Sequence, residues 1–203
     1  MNFGRMASDW LVVADRPASE RPAAAPQVAN FRIRCCHEGC PMTQSPLAAA
    51  LGRIPSGIFI LTARESAAAA ARETGMLASW VMQAGFEPPM VTVAVGKQRY
   101  LVDWLSSGEP FALNLVGHEQ MSLLKHFGKG FEPGVPAFEG LEIARSPAGL
   151  PVLSGALGYL ECRPVSHVES GDHRIVLAHV VASAMFDEET RPMVHLRKSG
   201  LHY

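Results

Sequence analysis

The feature that most constrains the fold is a series of apolar segments that have the length of β-strands. Three of them run from Gly57 to Ala63, from Met90 to Val95 and from Phe111 to Val116, and two longer ones run from Gly155 to His167 and from His173 to Met185. Short apolar runs bounded by turn residues indicate strands. None approaches the roughly 20 consecutive apolar residues of a membrane-spanning helix. We therefore expect a β-rich globular protein with no membrane span.

The links between these segments are short and indicate hairpins. The stretch from Met76 to Met82 reads as one more strand, and Gly85-Phe86-Glu87-Pro88-Pro89 separates it from the strand at Met90. Two consecutive prolines remove backbone donors and force a turn. Glu169-Ser170-Gly171-Asp172 has a hairpin-like composition. The Ala-rich connector from Arg64 to Thr74 fits either a helical turn or a loop.

Only short segments indicate helices. Leu47 to Leu51 follows Ser45 and Pro46, which form a favourable N-cap and first-turn pair. Tyr100 to Ser107 and Glu119 to Phe127 have apolar residues at helical spacing and stop at a glycine. Several strands with few short helices favour a mainly β barrel or sandwich over a doubly wound parallel sheet.

The N-terminal region differs from the rest of the chain. Residues 1–43 mix Ala, Pro and Arg without periodicity, so we expect a poorly ordered extension before a folded domain at 44–203. Met42, directly before the first element, is a candidate natural start. The extension holds Cys35, Cys36, His37 and Cys40. Because the paired C-x-x-C units of a zinc module are missing, unpaired thiols are favoured over a metal site.

Charge and motifs exclude several function classes. With 18 basic and 19 acidic side chains, the net charge of -1 offers no positive field for nucleic acid. The N-terminus shows no secretory signal, so the cytoplasm is the expected location. The signatures of hydrolases, P-loop proteins, zinc peptidases and dinucleotide-binding folds are missing. A cofactor enzyme can lack such signatures because the cofactor carries the difficult chemical step.

Six short motifs occur in order between Leu47 and Tyr203. They are L-G-R-I-P-S-G at 51–57, G-M-L-A-S-W-V at 75–81, F-E-P-P at 86–89, F-A-L-N-L at 111–115, G-D-H at 171–173 and L-R-K-S-G-L-H-Y at 196–203. In this order and spacing the sequence resembles the flavin reductase-like domains, in particular the C-terminal flavin reductase modules of diflavin flavoproteins. The resemblance implies a six-stranded Greek-key split β-barrel with short covering helices. It also implies a homodimer that holds FMN at or near the subunit interface.

The resemblance assigns the flavin ring to one strand edge. Its residues are Met76, Leu77, Ala78, Ser79 and Trp80. Their backbone groups and the Ser79 hydroxyl suit the polar edge of an isoalloxazine, while apolar neighbours suit its rings. Ala78 and Met82 stand where related modules often have hydroxyl residues. Without the resemblance, an ordinary strand in which Ser79 and Trp80 alternate between its two faces is the favoured interpretation.

The phosphate of FMN is expected at Gly96, Lys97 and Arg99. These residues follow a strand and precede a helix, where cations and free N–H groups can hold a phosphate. Many family members have Ser or Thr here, whereas this chain has Gln98 and Tyr100. The alternative is a pair of solvated cations on a turn.

His173 is the expected catalytic residue. The resemblance sets the histidine of G-D-H close to the flavin and the incoming nicotinamide, where it orients the donor or holds a proton, since imidazole titrates near neutrality. The alternative is a turn histidine bonded to Asp172.

The last candidates lie near the C-terminus and on one strand. Arg197, Lys198 and Tyr203 are expected to close the site, with a frayed charged tail as the alternative. Asn114, on an apolar strand, is either a flavin-proximal amide or a satisfied buried polar group.

The function that the resemblance implies is an FMN-binding NAD(P)H:flavin oxidoreductase. Hydride would pass from C4 of NADH or NADPH to flavin N5, with FAD as the alternative flavin. Electrons would go on to free flavin, oxygen, a metal complex or an electron-acceptor protein. The alternatives are a flavoredoxin-like FMN carrier without its own nicotinamide site and a barrel that has lost its flavin. No metal, nucleic acid or membrane partner is expected.

Overall fold

The structure is a computed structural model, and it describes residues 45–65 and 72–201. The N-terminal extension with its cysteines and Tyr203 lie outside these residues. Within them the helices are α1 (Pro46–Gly52), α2 (Leu101–Ser106) and α3 (Met121–Phe127). The strands are β1 (Ser56–Gly57), β2 (Phe59–Glu65), β3 (Arg72–Ala78), β4 (Val81–Phe86), β5 (Pro89–Gly96), β6 (Phe111–Leu115), β7 (Ile143–Arg145), β8 (Pro151–Leu153), β9 (Gly158–Ser170), β10 (His173–Met185) and β11 (Val194–His195). None of the described helices is both long and apolar enough to cross a membrane.

One large antiparallel sheet dominates the described residues. It has seven strands in the order β3-β2-β6-β9-β10-β5-β4, and two small sheets pair β1 with β11 and β7 with β8. The mainly β class expected from the sequence is confirmed, with one strand more in the main sheet than the six expected. The two longest strands, β9 and β10, form the hairpin that the Glu169–Asp172 sequence predicts, with Gly171 at φ +59° in its turn.

The main core lies between this sheet and α2. Leu61, Val93 and Phe111 are fully buried on the strands. Leu101 and Leu105 of α2 pack against the same cluster. Burying one such side chain contributes about 1.5 to 3 kcal/mol. The apolar spacing that predicts the helix at 100–107 is therefore what holds α2 against the sheet.

The two ends of the sheet meet at a seam. β3 and β4 are the outermost strands, yet only Ser79 and Trp80 separate them in sequence. Three residue steps reach at most roughly 11 Å, so the sheet must curl until its ends are neighbours. The backbone N–H of Ala94 donates to the Trp80 carbonyl oxygen at 2.9 Å and ties this link to β5. The curled sheet is a barrel whose seam is Ser79–Trp80.

One sequence expectation for this region is wrong, and a second is refined. The segment from Met76 to Met82 is not one strand, because it ends β3, crosses the seam and begins β4. The connector from Arg64 to Thr74 is shorter than expected, because its described ends extend β2 to Glu65 and begin β3 at Arg72, and residues 66–71 lie outside the described residues. Alternation along a sequence shows strand character, but it does not show where a strand changes its partner.

The C-terminal segment docks on α1. Ser45 caps this helix as expected, since its Oγ accepts a hydrogen bond from the Ala48 N–H at 3.0 Å. The Arg197 N–H donates to the Gly52 carbonyl oxygen at 3.1 Å, and the Gly200 N–H donates to the Ala48 carbonyl oxygen at 2.7 Å. A Cβ on Gly52 would lie 2.6 Å from the Arg197 carbonyl oxygen. The approach therefore depends on glycine at position 52.

Candidate functional site

A cleft of about 440 Å³ opens at the barrel seam. Its walls come from the end of β3 and the seam, from the end of β5 and the turn after it, from the start of β10 and from the docked C-terminal segment. The lining residues are Met76, Leu77, Ala78, Ser79, Trp80, Ala94, Gly96, Gln98, Arg99, Gly128, Asp172, His173, Arg197, Gly200 and Leu201. Segments that are distant in sequence thus meet around one concave space.

Most of the residues expected from the sequence lie together in this cleft. Those in its lining are Met76, Leu77, Ala78, Ser79, Trp80, Gly96, Arg99, His173 and Arg197. Lys97, Lys198 and Asn114 are outside the lining, and Tyr203 is outside the described residues. The structure therefore gathers the expected ring segment, one expected phosphate cation, the expected catalytic histidine and one C-terminal cation.

Trp80 stands between two of the other candidates. The Trp80 and His173 ring centroids are 4.7 Å apart, with an angle of 44° between the planes. The guanidinium carbon of Arg197 lies 4.9 Å from the centre of the Trp80 ring. Cations at this distance from an indole are attracted by its negative face. These contacts link the seam, β10 and the C-terminal segment within one chain.

His173 is fixed by its neighbour Asp172. Its Nδ1 lies 2.8 Å from Asp172 Oδ1. The hydrogen bond from His173, followed by the charge of that histidine, holds the pKa of the Asp172 carboxyl below its usual range. The carboxylate therefore stays ionised near neutral pH and can only accept, so Nδ1 is the donor. His173 pairs with Gly96 across β10 and β5, which brings the histidine next to the turn that carries Arg99.

The two expected phosphate cations have different surroundings. Lys97 Nζ lies 2.6 Å from a Glu169 carboxylate oxygen, and Arg174 Nε donates to the other oxygen at 2.7 Å. Hydrogen bonds from Lys97 and then Arg174 hold the pKa of Glu169 below its usual range. Arg99 Nη1 instead donates to the Lys129 carbonyl oxygen at 2.6 Å. Within 45–65 and 72–201, Arg99 has no carboxylate partner.

Asn114 lies in the core, away from the cleft. The side chain is completely buried. Its Nδ2 donates to the Ile60 carbonyl oxygen at 3.0 Å and to Thr62 Oγ1 at 3.2 Å, and its Oδ1 accepts from the Leu153 N–H at 2.8 Å. Both ends of the amide are therefore bonded to protein, which matches the second interpretation of this residue.

Several lining residues were not among the candidates. Gln98 lies between Lys97 and Arg99 in the same turn, and a Cβ on Gly96 would lie 2.7 Å from Gln98 Oε1. Asp172 belongs to the G-D-H motif, so the motif was an available signal for it. Gly128 follows α3, and no motif marks it. Its place in the cleft depends on how α3 packs.

The remaining chemistry-bearing groups do not point to another reactive centre. In the two described ranges, no group of three or more His, Cys, Asp or Glu residues is arranged to hold a metal ion. Burial raises the pKa of the Cys162 thiol to about 12. That thiol therefore stays protonated at physiological pH and is a poor nucleophile.

Comparison with known proteins assigns the chain to a family. The family model described as "Flavin reductase like domain" matches residues 51–200. The chain is 42% identical over 161 residues to diflavin flavoprotein A 1 of Synechocystis sp., which covers 78% of the chain and 27% of that protein. It is 40% identical over 156 residues to putative diflavin flavoprotein A 3 of Nostoc sp., covering 76% of the chain and 26% of that protein. The chain thus spans about a quarter of the length of these curated relatives.

Solved structures have the same fold. The NADH:FAD oxidoreductase of Streptomyces globisporus is 27% identical and superposes with a TM-score of 0.66, covering 75% of this chain and 86% of that one. The flavin reductase of the styrene monooxygenase from Pseudomonas putida S12 is also 27% identical, with a TM-score of 0.59 and coverage of 73% and 90%. Because the family model covers most of the described barrel and its cleft residues, the chain belongs to the flavin reductase-like domain family.

Proposed function

We propose that the chain binds FMN in the cleft at the barrel seam and transfers hydride from a reduced nicotinamide to the flavin. The observation that carries the proposal is the convergence of the β3 end, Arg99, His173 and Arg197 on one cleft. Family membership supports the flavin chemistry. The Streptomyces globisporus relative, an NADH:FAD oxidoreductase, supports a nicotinamide donor.

The lining fits an isoalloxazine ring. Met76, Leu77 and Ala94 give it apolar walls, and ligand pockets combine such walls with a few polar groups. β3 is the last strand of its sheet, so its outer edge has no strand partner among the described residues. Backbone donors and acceptors on that edge suit the polar side of the ring.

The lining also fits a phosphate. Arg99 offers a guanidinium with no carboxylate beside it in the described ranges, and such a group can bind phosphate through two parallel hydrogen bonds. Lys97 is engaged by Glu169, so we assign it a smaller, longer-range electrostatic contribution. We assign Arg197 to the wall that closes the cleft from the C-terminal side. Lys198 and Tyr203 remain predicted members of that wall.

His173 acts as a donor-orienting residue in this proposal. A bound FMN would supply the hydride-accepting chemistry, and His173 would hold the nicotinamide donor beside it. The bond from Nδ1 to Asp172 fixes the imidazole plane and leaves Nε2 as the ring nitrogen available to the donor. The protein then contributes position, because reacting atoms must approach to roughly 3 to 3.5 Å.

We also propose a homodimer in the cytoplasm. Strand β4 is the other end of the sheet and carries exposed Met82, and Phe86 at its end is 88% exposed. Large apolar side chains on an unpaired strand edge favour association with another chain. Sedimentation equilibrium of the parent and of a Phe86→Ser variant tests the dimer, and we expect the variant to dissociate more readily. A parent that sediments as a monomer contradicts it.

Anaerobic spectroscopy tests the function. The protein is titrated with FMN and with FAD, and NADH or NADPH is then added without oxygen. We expect saturable binding of FMN and loss of its visible absorbance with at least one nicotinamide. Binding without bleaching would instead support a flavoredoxin-like carrier, and failure to bind either flavin would support a barrel without a flavin role.

A further inference from the structure

We propose that Gly130, together with the Lys129 carbonyl group, positions the Arg99 guanidinium for the phosphate of the flavin. This inference rests on the proposed function and adds a residue to it. Arg99 and Lys129 are 30 positions apart in sequence and are joined by the 2.6 Å hydrogen bond from Arg99 Nη1. Neither Lys129 nor Gly130 belongs to the cleft lining, so each acts through Arg99.

An arginine that binds an anion gains from being held in place beforehand. Its side chain has many rotamers, and fixing it in advance reduces the ordering cost at the moment of binding. The bond to Lys129 uses one of the five N–H donors of the guanidinium, which leaves others for a ligand. Lys97, the neighbouring cation, is held by the Glu169 carboxylate instead. A carbonyl group orients a cation without neutralising its charge.

Position 130 accepts only glycine without displacing Arg99. Gly130 has φ +71°, a left-handed conformation that other residues adopt rarely. A Cβ built there would meet Arg99 Nη1 and would lie 3.2 Å from Cζ. The obstructed atoms are the far end of a flexible side chain. An alanine at this position would therefore move the guanidinium before it moved the backbone.

The turn that holds Arg99 is fixed to the strand that lines the cleft. The Gly130 N–H donates to the Phe127 carbonyl oxygen at 3.0 Å. Phe127 is completely buried, and a Cβ on Gly75 of β3 would lie 2.7 Å from its ring. The Phe127 ring also packs on Phe131 and Phe138, with centroids 5.7 and 6.1 Å away. Arg99 is thus held at a defined distance from β3.

The test compares FMN with riboflavin, which has the same ring but no phosphate. Dissociation constants for both are measured on the parent, on Gly130→Ala and on Gly140→Ala. Gly140 is the matched control, because its φ is +75° and no atom lies within 4 Å of an added Cβ. We expect Gly130→Ala to weaken FMN binding by about tenfold or more, which is the range for losing a hydrogen bond to a charged group. Riboflavin binding should weaken by less than about twofold. Gly140→Ala should leave both unchanged.

Two further variants test whether position 130 acts through Arg99. Arg99→Ala combined with Gly130→Ala should lose no more FMN affinity than Arg99→Ala alone. If Gly130→Ala does not fold, Gly130→Asn adds the same Cβ with less backbone strain, since asparagine tolerates the left-handed region. Equal weakening of FMN and riboflavin, or equal effects of positions 130 and 140, overturns the inference. A parent that binds neither flavin overturns the proposed function, and this inference with it.

Discussion

The guanidinium carbon of Arg197 lies 4.9 Å from the centre of the Trp80 indole, although 117 positions separate the two residues in the sequence. Trp80 belongs to the link that closes the barrel, and Arg197 belongs to the segment that docks on α1. The contact forms within one chain. The seam and the C-terminal wall therefore meet across the cleft without help from a second chain.

Removing the Arg197 side chain should open this wall. We expect Arg197→Ala to weaken FMN binding by about tenfold, because the guanidinium would no longer cover the cleft and a contact from a charged group is worth about 1.5 kcal/mol or more. Fluorescence titration of FMN measures the effect. Arg163→Ala is the matched control, since Arg163 is exposed and outside the lining. Equal losses in both variants would mean that only total charge matters.

A methyl group on Gly52 should detach the C-terminal segment. The added Cβ of Gly52→Ala would lie 2.6 Å from the Arg197 carbonyl oxygen, a backbone atom that can yield only if the segment shifts. We expect a loss of about 1 to 3 kcal/mol in the free energy of unfolding. Trypsin should also cleave faster after Arg197 and Lys198. Gly155→Ala serves as the control, because an added Cβ there has no atom within 4 Å. Unchanged trypsin cleavage would contradict the docking role.

Asn114 should affect stability and not flavin affinity. The isosteric change Asn114→Leu leaves the buried Leu153 N–H without its acceptor, and an unsatisfied buried donor costs about 1 to 3 kcal/mol. Urea unfolding should show this loss, while the dissociation constant of FMN in the folded variant stays within about twofold of the parent value. The reverse pattern, full stability with weak FMN binding, would assign Asn114 to the flavin.

Glu169 should reduce the positive potential beside the cleft. We expect Glu169→Gln to tighten FMN binding by about two- to threefold at low salt, because Lys97 would no longer be neutralised. The gain should vanish at high salt, where exposed charges are screened. Asp103→Asn is the matched control, since Asp103 faces Arg174 and not Lys97. A gain that persists at high salt would contradict this electrostatic explanation.

The contribution of the Lys97–Glu169 ion pair to the stability of the folded state should depend on pH. Lys97 and Arg174 lower the pKa of Glu169 from its ordinary value of 4.5. A carboxyl whose pKa is lowered by folding stabilises the folded state above pH 4.5, and this contribution disappears as the pH falls through the lowered pKa. Carboxyl NMR should therefore find a Glu169 midpoint below 4.5, and Lys97→Ala should raise it. A midpoint at or above 4.5 in the parent would contradict the pairing.

The helices and the strand content could be predicted from local patterns. Ser45 and Pro46 mark the start of α1, and the apolar spacing after Tyr100 marks α2, because capping and helical periodicity act over a few residues. The link at Ser79–Trp80 could not be predicted in this way. β3 ends at Ala78, and β4 begins at Val81 at the opposite end of the sheet. The alternating pattern of these two strands is the same as that of one long strand.

For the candidate site, too, local patterns identified some residues, whereas contacts between distant segments decided the rest. Motif order pointed to Trp80, His173 and Arg197, and the turn between a strand and a helix pointed to Arg99. The fold brings all four to one cleft. From residue type alone, Lys97 and Arg99 were equally good candidates for the phosphate contact. Glu169 and the Lys129 carbonyl, which distinguish them, come from distant segments. No pattern local to the 96–99 turn contains that information.

By itself, the sequence determined a β-rich chain, its first helix cap and a set of motifs that belong to the flavin reductase-like domains. Only the tertiary structure decided that β3 and β4 are the two ends of one curled sheet and that Arg197 covers Trp80. It also decided that Arg99 and not Lys97 lines the cleft. The physical reason is range: caps, turns and alternation depend on neighbouring residues, whereas seams and charge partners depend on contacts between segments far apart in the chain.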